Sequence, residues 1–241
     1  MATTPKLPPN QFQVALLAEV GATEPFMKDF LEVFDILGGT MIFGDERDAV
    51  QNATANILTD GLIPAFLELR KIRASLQQNL PLVDRYQLYE DLARKLWKSY
   101  KDLTQTAAEK IGFKIGFLYQ DDGKFEAGLK KFREENPGVA AAMEEYFRET
   151  RSRWQNDLAT FRNTFVEHQN GKREDYAKFY DARVSEVLFE EVWRAIVEIL
   201  VTLLGLRMPK GVFIGETDPN APGPKWPKRF RFYVEGLSPK G

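Results

Sequence analysis

Apolar residues recur three and four positions apart along most of the chain, the period of helices that bury one face. Phe26, Phe30, Val33, Phe34 and Leu37 follow Thr23-Glu24-Pro25, a helix start with the threonine as cap and the proline in the first turn. Gly38-Gly39 stop that helix. A second pattern over 45–76 uses Val50, Ile57, Leu58, Ile63, Phe66 and Leu69, and Gly61 with Pro64 predicts a break or kink near residue 60. Over 82–119 the period returns in Tyr86, Tyr89, Leu92, Leu96, Trp97, Tyr100 and Leu103, predicting a long amphipathic helix that loosens at Gly112 and Gly116. Asp121-Asp122-Gly123 reads as a turn, 125–135 as a short charged helix, and Asn136-Pro137-Gly138 as punctuation. The next helix, 137–168, sets Met143, Phe147, Trp154, Leu158, Phe161 and Phe165 near one face. After Gly171 a last long helix over 175–208 becomes apolar nearly all round between Ala195 and Leu206, as a helix enclosed by others does, and Pro209 ends it.

The two ends of the chain differ in kind. Residues 1–10 carry three prolines and no apolar run long enough for a secretory signal, which predicts a flexible arm. Residues 11–21 are short and apolar on several sides, and periodicity leaves helix and strand both open there. At the other end Val212-Phe213-Ile214 and Phe230-Arg231-Phe232-Tyr233-Val234 flank a proline-rich loop, predicting a small β-hairpin or extended flap. The expected organisation is an arm (1–10), an N-terminal helical segment (11–78), a helical bundle (79–208) and a proline-rich flap (209–241). The fold class is all-α, with about six or seven helices.

Composition narrows the chemistry. An apolar fraction of 44% with 28% charged residues in a 241-residue chain is that of a globular protein with a sizeable core. There is no cysteine, which removes disulfides, thiolate zinc sites and cysteine nucleophiles, and fits a cytoplasmic location. The most apolar stretch, 188–206, holds Glu190, Glu191, Arg194 and Glu198, too many charges for an ordinary membrane span, so no membrane partner is expected. A net charge of −2 gives no general basic field, so any nucleic acid must be held by a local patch.

The one histidine, His168, lies in Thr160-Phe161-Arg162-Asn163-Thr164-Phe165-Val166-Glu167-His168-Gln169-Asn170-Gly171, where one periodic helix ends and another is about to begin. Six residues on an ideal helix correspond to about 120° of rotation and ~9 Å of rise, so Arg162 and His168 share no face unless the helix frays before Gly171. Asn163 can orient a phosphate or the histidine through its amide.

Arg162-Asn163, four intervening residues and then His168 resembles the motif of the HEPN (higher eukaryotes and prokaryotes nucleotide-binding) superfamily: an arginine, a polar residue and a following histidine near the end of a long helix. The resemblance covers the motif and its helical context from about residue 80 to 208. It implies a HEPN-like bundle, a metal-independent endoribonuclease of toxin-antitoxin or phage-defence systems, a homodimer that brings two motifs together, an antitoxin partner, and no cofactor. The chemistry is direct: an imidazole, which titrates near neutrality, takes the 2′-hydroxyl proton of RNA, and the freed oxygen attacks the adjacent phosphate. The guanidinium stabilises the charge that builds on the phosphoryl oxygens. On this reading His168 is the general base, Arg162 the charge stabiliser and Asn163 the positioning residue, with Lys172 and Arg173 placed to meet the RNA backbone.

The rival is a non-catalytic helical binding or scaffolding protein, in which the same residues cap a helix end favourably placed for cations. Other sites are weaker. With one histidine the paired Glu-x-x-His pattern of a di-iron bundle is absent, and Glu144-Glu145 with Glu149, like Glu190-Glu191, reads as a solvated face. Gly112 and Gly116 lack the lysine and strand of a phosphate-binding loop. Lys225, Lys228, Arg229 and Arg231 alternate with Trp226, Phe230 and Phe232, which fits an edge strand better than a surface for stacking bases.

Overall fold

The structure is a computed structural model and describes residues 24–39, 44–136, 140–168, 171–207, 212–216 and 230–234. The arm 1–10, the undecided segment 11–21, the Thr23 cap and the basic, aromatic run 225–229 lie outside these residues. The described chain is predominantly helical. It divides into two compact units, Met1–Ile42 with Leu204–Gly241, and Phe43–Leu203.

In the first unit α1 (Pro25–Gly39) buries Phe26, Met27, Phe30, Val33, Phe34 and Leu37. Strands β1 (Val212–Glu216) and β2 (Phe230–Val234) pair antiparallel, Val212 opposite Val234 and Glu216 opposite Phe230, and α1 contacts β2.

The second unit is built around α4 (Leu82–Asp102), which contacts α2 (Gly44–Ile57), α3 (Ile63–Gln77) and the later segments that carry the site. Its spacing explains this role: Tyr89, Leu92, Ala93, Leu96, Trp97 and Tyr100 are all buried. The interruption near residue 60 takes the form of a wide turn, not a stop. Leu58–Leu62 is π-helical, and right-handed helical backbone continues through Ile57 and Ile63. The extra residue in that turn accommodates Pro64, whose ring would otherwise meet the carbonyl one turn back and which has no N–H to give.

Three helix boundaries depart from the sequence pattern. The helix expected over 82–119 runs through a π turn (Leu103–Ala107) into α5 (Ala108–Ile111) and ends there. Gly112 takes φ +101°, its N–H donates to Glu109 O at 3.0 Å and the Phe113 N–H to Ala108 O at 2.8 Å, the paired bonds of a Schellman stop. Gly116–Tyr119 is a separate 3-10 turn. The charged helix, α6 (Asp122–Glu135), starts ahead of Phe125 because the Asp121 carboxylate accepts from the Lys124 N–H at 3.1 Å. The last helix, α9 (Ala182–Gly205), begins seven residues after Asp175, since Asp181 caps it by accepting from the N–H groups of Arg183 at 2.8 Å and Val184 at 3.0 Å. The intervening Arg173–Tyr180 is 3-10, with a kink at Tyr176.

Polar groups tie the interior together where the period alone shows only apolar ones. The Tyr100 hydroxyl donates to Gln155 Oε1 at 3.1 Å, and the Gln155 amide donates to the Leu118 carbonyl. Arg151, nearly buried, donates to Asp122 Oδ1 at 2.6 Å and to Gln120 O at 2.9 Å, and lies over the Phe125 ring at 4.5 Å. Glu68 is buried on α3 and accepts from Lys95 of α4 and from Lys71.

Gly61 lets two helices approach closely: a Cβ there would stand 2.0 Å from Ser99 Oγ and 3.2 Å from Ser99 Cα. Gly61→Ala should therefore cost about 1–3 kcal/mol by overpacking. A urea melt checks it, and Ser99→Ala in the same chain should recover part of the loss by removing the nearest atom.

Candidate functional site

The helix that bears the motif comprises α7 (Ala140–Thr150), a π segment (Arg151–Gln155), α8 (Asn156–Thr160) and a second π segment (Phe161–Glu167). Met143, Phe147, Trp154, Leu158 and Phe161 are buried, as the spacing predicts. Helical winding ends at Glu167, His168 stands in a turn, and Gly171 takes φ +99°, a conformation glycine adopts without strain.

Phe161 fixes this reversal from both sides. Its ring stacks on Phe179 at 4.3 Å with an interplanar angle of 6°, meets the Tyr180 ring edge-on at 5.7 Å, and lies 5.6 Å from Tyr176. The residues before the turn are thereby held to those after it.

The final π segment decides which side chains meet. Residues five apart lie about 140° apart around an α-helix, whereas bonding to the fifth residue widens the turn and brings them toward one face. Arg162 and Glu167 are such a pair: Arg162 Nη2 lies 3.3 Å from Glu167 Oε1. The other terminal nitrogen of Arg162 donates to Asn163 Oδ1 at 2.8 Å, and its Nε is buried without an acceptor among the described residues. Arg94, reaching across from α4, places Nε 3.6 Å from the same Glu167 oxygen, donates to Asp91 Oδ1 at 2.6 Å, and reaches Val166 O at 3.4 Å.

The structure thus brings Arg162 and Asn163 together and sets Glu167 beside them. His168 is exposed and makes no hydrogen bond or ion pair with any described residue. Lys172 is exposed, and its backbone N–H donates to Asp175 Oδ2 at 3.1 Å, which closes the turn into the 3-10 segment. Arg173 is half exposed: it donates to Glu90 Oε1 at 3.3 Å and lies over the Tyr86 ring at 4.6 Å. The buried Glu90 oxygen also accepts from the Tyr180 hydroxyl at 3.0 Å.

Sequence reasoning missed Arg94, Glu167 and Glu90. Glu167 sits beside the histidine and could have been noticed, but only the π register pairs it with Arg162. Arg94 and Glu90 lie on the polar flank of a distant helix, and no local pattern couples them to the turn. Among the described residues no group of three or more His, Asp or Glu side chains could hold a metal ion. No described helix is long and apolar enough to cross a membrane. In comparisons with protein-family models, curated proteins and solved structures, nothing matches this chain.

Burial, with the Glu90 carboxylate beside it, pushes the Tyr180 phenol above its ordinary value of 10.0. A group whose pKa is raised on folding favours its protonated form there, so this contribution is intact below pH 10.0 and is lost as the pH climbs beyond it. Stability should decline above that pH, and Tyr180→Phe should make the decline shallower in a pH series of thermal melts. It should not abolish it, because burial raises the Tyr100 phenol likewise.

Proposed function

We propose that the chain is a metal-independent endoribonuclease of HEPN type, acting in the cytoplasm as a homodimer in a toxin-antitoxin or phage-defence setting. The observation that carries this reading is local: Arg162 and Asn163 are hydrogen bonded on the final turn of a long helix, and that helix gives way at His168. On a HEPN-like bundle the His168 imidazole takes the 2′-hydroxyl proton, the 2′-oxygen bonds to phosphorus as the P–O5′ bond breaks, the 5′-oxygen leaves with the proton the imidazolium returns, and Arg162, oriented by Asn163, holds the phosphoryl charge. The second copy supplies a facing motif, so that the imidazole of one and the guanidinium of the other close on one phosphate. Lys172 is free to meet the RNA backbone, while Arg173 supports the turn through Glu90 and Tyr86.

A second reading, a non-catalytic helical binding or scaffolding protein, is favoured by one observation. Glu167 stands within ion-pairing distance of Arg162, so the guanidinium already has an internal counter-charge at a helix end.

Incubation with labelled single-stranded RNA in EDTA separates the two. The nuclease reading expects cleavage that survives the chelator and falls by roughly a hundredfold or more in both His168→Ala and Arg162→Ala. An inert parent protein across a wide concentration range, with both variants folded, would leave the scaffolding reading standing.

A further inference from the structure

The pairing of Arg162 has a feature that a simple helix cap does not need. One oxygen of Glu167 is shared between two arginines from different helices, Arg162 at 3.3 Å and Arg94 at 3.6 Å. Neither contact is a hydrogen bond of good geometry, and the Nε of Arg162 is left without an acceptor among the described residues. A planar carboxylate offers two oxygens in one plane, whereas two forked guanidinium groups suit a tetrahedral anion whose oxygens spread in several directions. All three side chains are about one-third exposed, so solvent and ligand reach the cluster. His168 follows Glu167 directly in the chain.

We infer that Arg94 and Arg162 form a two-arginine site for an RNA phosphodiester, and that Glu167 occupies it as an internal stand-in which the substrate displaces. The choice of RNA rests on the ribonuclease reading above; the geometry of the anion site does not. Arg94 would join the site from α4, a helix on which the motif sets no residue. Asp91, which pairs with Arg94 at 2.6 Å, and Gln87, which donates to Asp91 at 2.9 Å, hold that guanidinium in place when Glu167 leaves. With Glu167 in place the cluster of Arg94, Arg162, Glu167 and Asp91 is neutral. Without it the cluster carries one net positive charge beside the histidine.

The test uses the full-length protein and a fluorescein-labelled single-stranded oligonucleotide whose 2′-hydroxyls are replaced by fluorine, so that it binds without being cut. Fluorescence anisotropy reads binding, and the all-ribose oligonucleotide in EDTA reads cleavage. Glu167→Gln keeps the shape and removes the charge, and should tighten binding roughly fivefold at low salt, the scale of a partly exposed ion pair released. It should also steepen the salt dependence. Arg94→Ala and Arg94→Lys should both weaken binding, the lysine less, and each should erase the gain when combined with Glu167→Gln. Arg73→Ala, which removes a cation paired with Glu186 elsewhere, should change nothing.

A merely structural Glu167 predicts the opposite sign, since losing it would loosen the helix end and leave binding unchanged or weaker. That result overturns the proposal, as does a gain in Glu167→Gln that survives Arg94→Ala. Cleavage that depends on His168 with binding indifferent to Glu167 and Arg94 would sink this inference alone. Gated binding without cleavage by any variant would sink the nuclease reading and keep the anion site.

Discussion

The stacking of Phe161 on Phe179 is the contact on which the candidate site depends. One ring lies just before the turn and the other just after it, so a single buried aromatic pair closes the reversal between the motif helix and the 3-10 segment. Tyr180 then fastens the second strand of this reversal to α4 through Glu90, and Arg94 fastens the first through the Val166 carbonyl. The two links to α4 are four residues apart, one helical turn, so one face of that helix sets the separation of both sides of the turn. An aromatic pair of this kind contributes about 0.5–1.5 kcal/mol beyond its buried area, while the area itself accounts for more. Without it the exposed His168 would have little to fix its direction.

The helical architecture was legible because it rests on burial, and burial leaves a period. Leu92, Leu96 and Tyr100 on α4, like Trp154, Leu158 and Phe161 on the motif helix, announce their faces by spacing alone. Boundaries were less legible because they are set by single hydrogen bonds. Gly112 as a stop and Asp181 as a cap are both visible residue types, yet the apolar pattern runs past the first and begins before the second. Periodicity overrode the punctuation in reading and lost to it in the fold. The π turn near residue 60 was announced by Gly61 and Pro64, but the one in the motif helix left no trace: Phe161–Glu167 has the composition of any helix end.

The site was legible only as a list of residue types. Arg162, Asn163 and His168 were visible because they are neighbours in sequence. Their electrostatic setting was not, because it is made by Arg94 and by the register that turns Glu167 toward Arg162. The same applies to Arg173. Its place after the turn suggested a phosphate contact; that a buried carboxylate on α4 and the face of Tyr86 hold one side of its guanidinium, while half of the side chain stays exposed, was not visible in the sequence.

The internal carboxylate separates two kinds of arginine. One that serves only a structural purpose is best held by a well-aligned, mutually satisfied pair, such as the bidentate contact that Arg148, inside the same helix, makes with Glu126 at 2.5 and 2.8 Å. Arg162 is held differently: its carboxylate partner is shared with a second arginine, and one of its own donors is buried without an acceptor among the described residues. That arrangement carries a desolvation cost which the shared oxygen offsets only in part. It is a poor solution for a cap and a serviceable one for a group kept ready for a different anion.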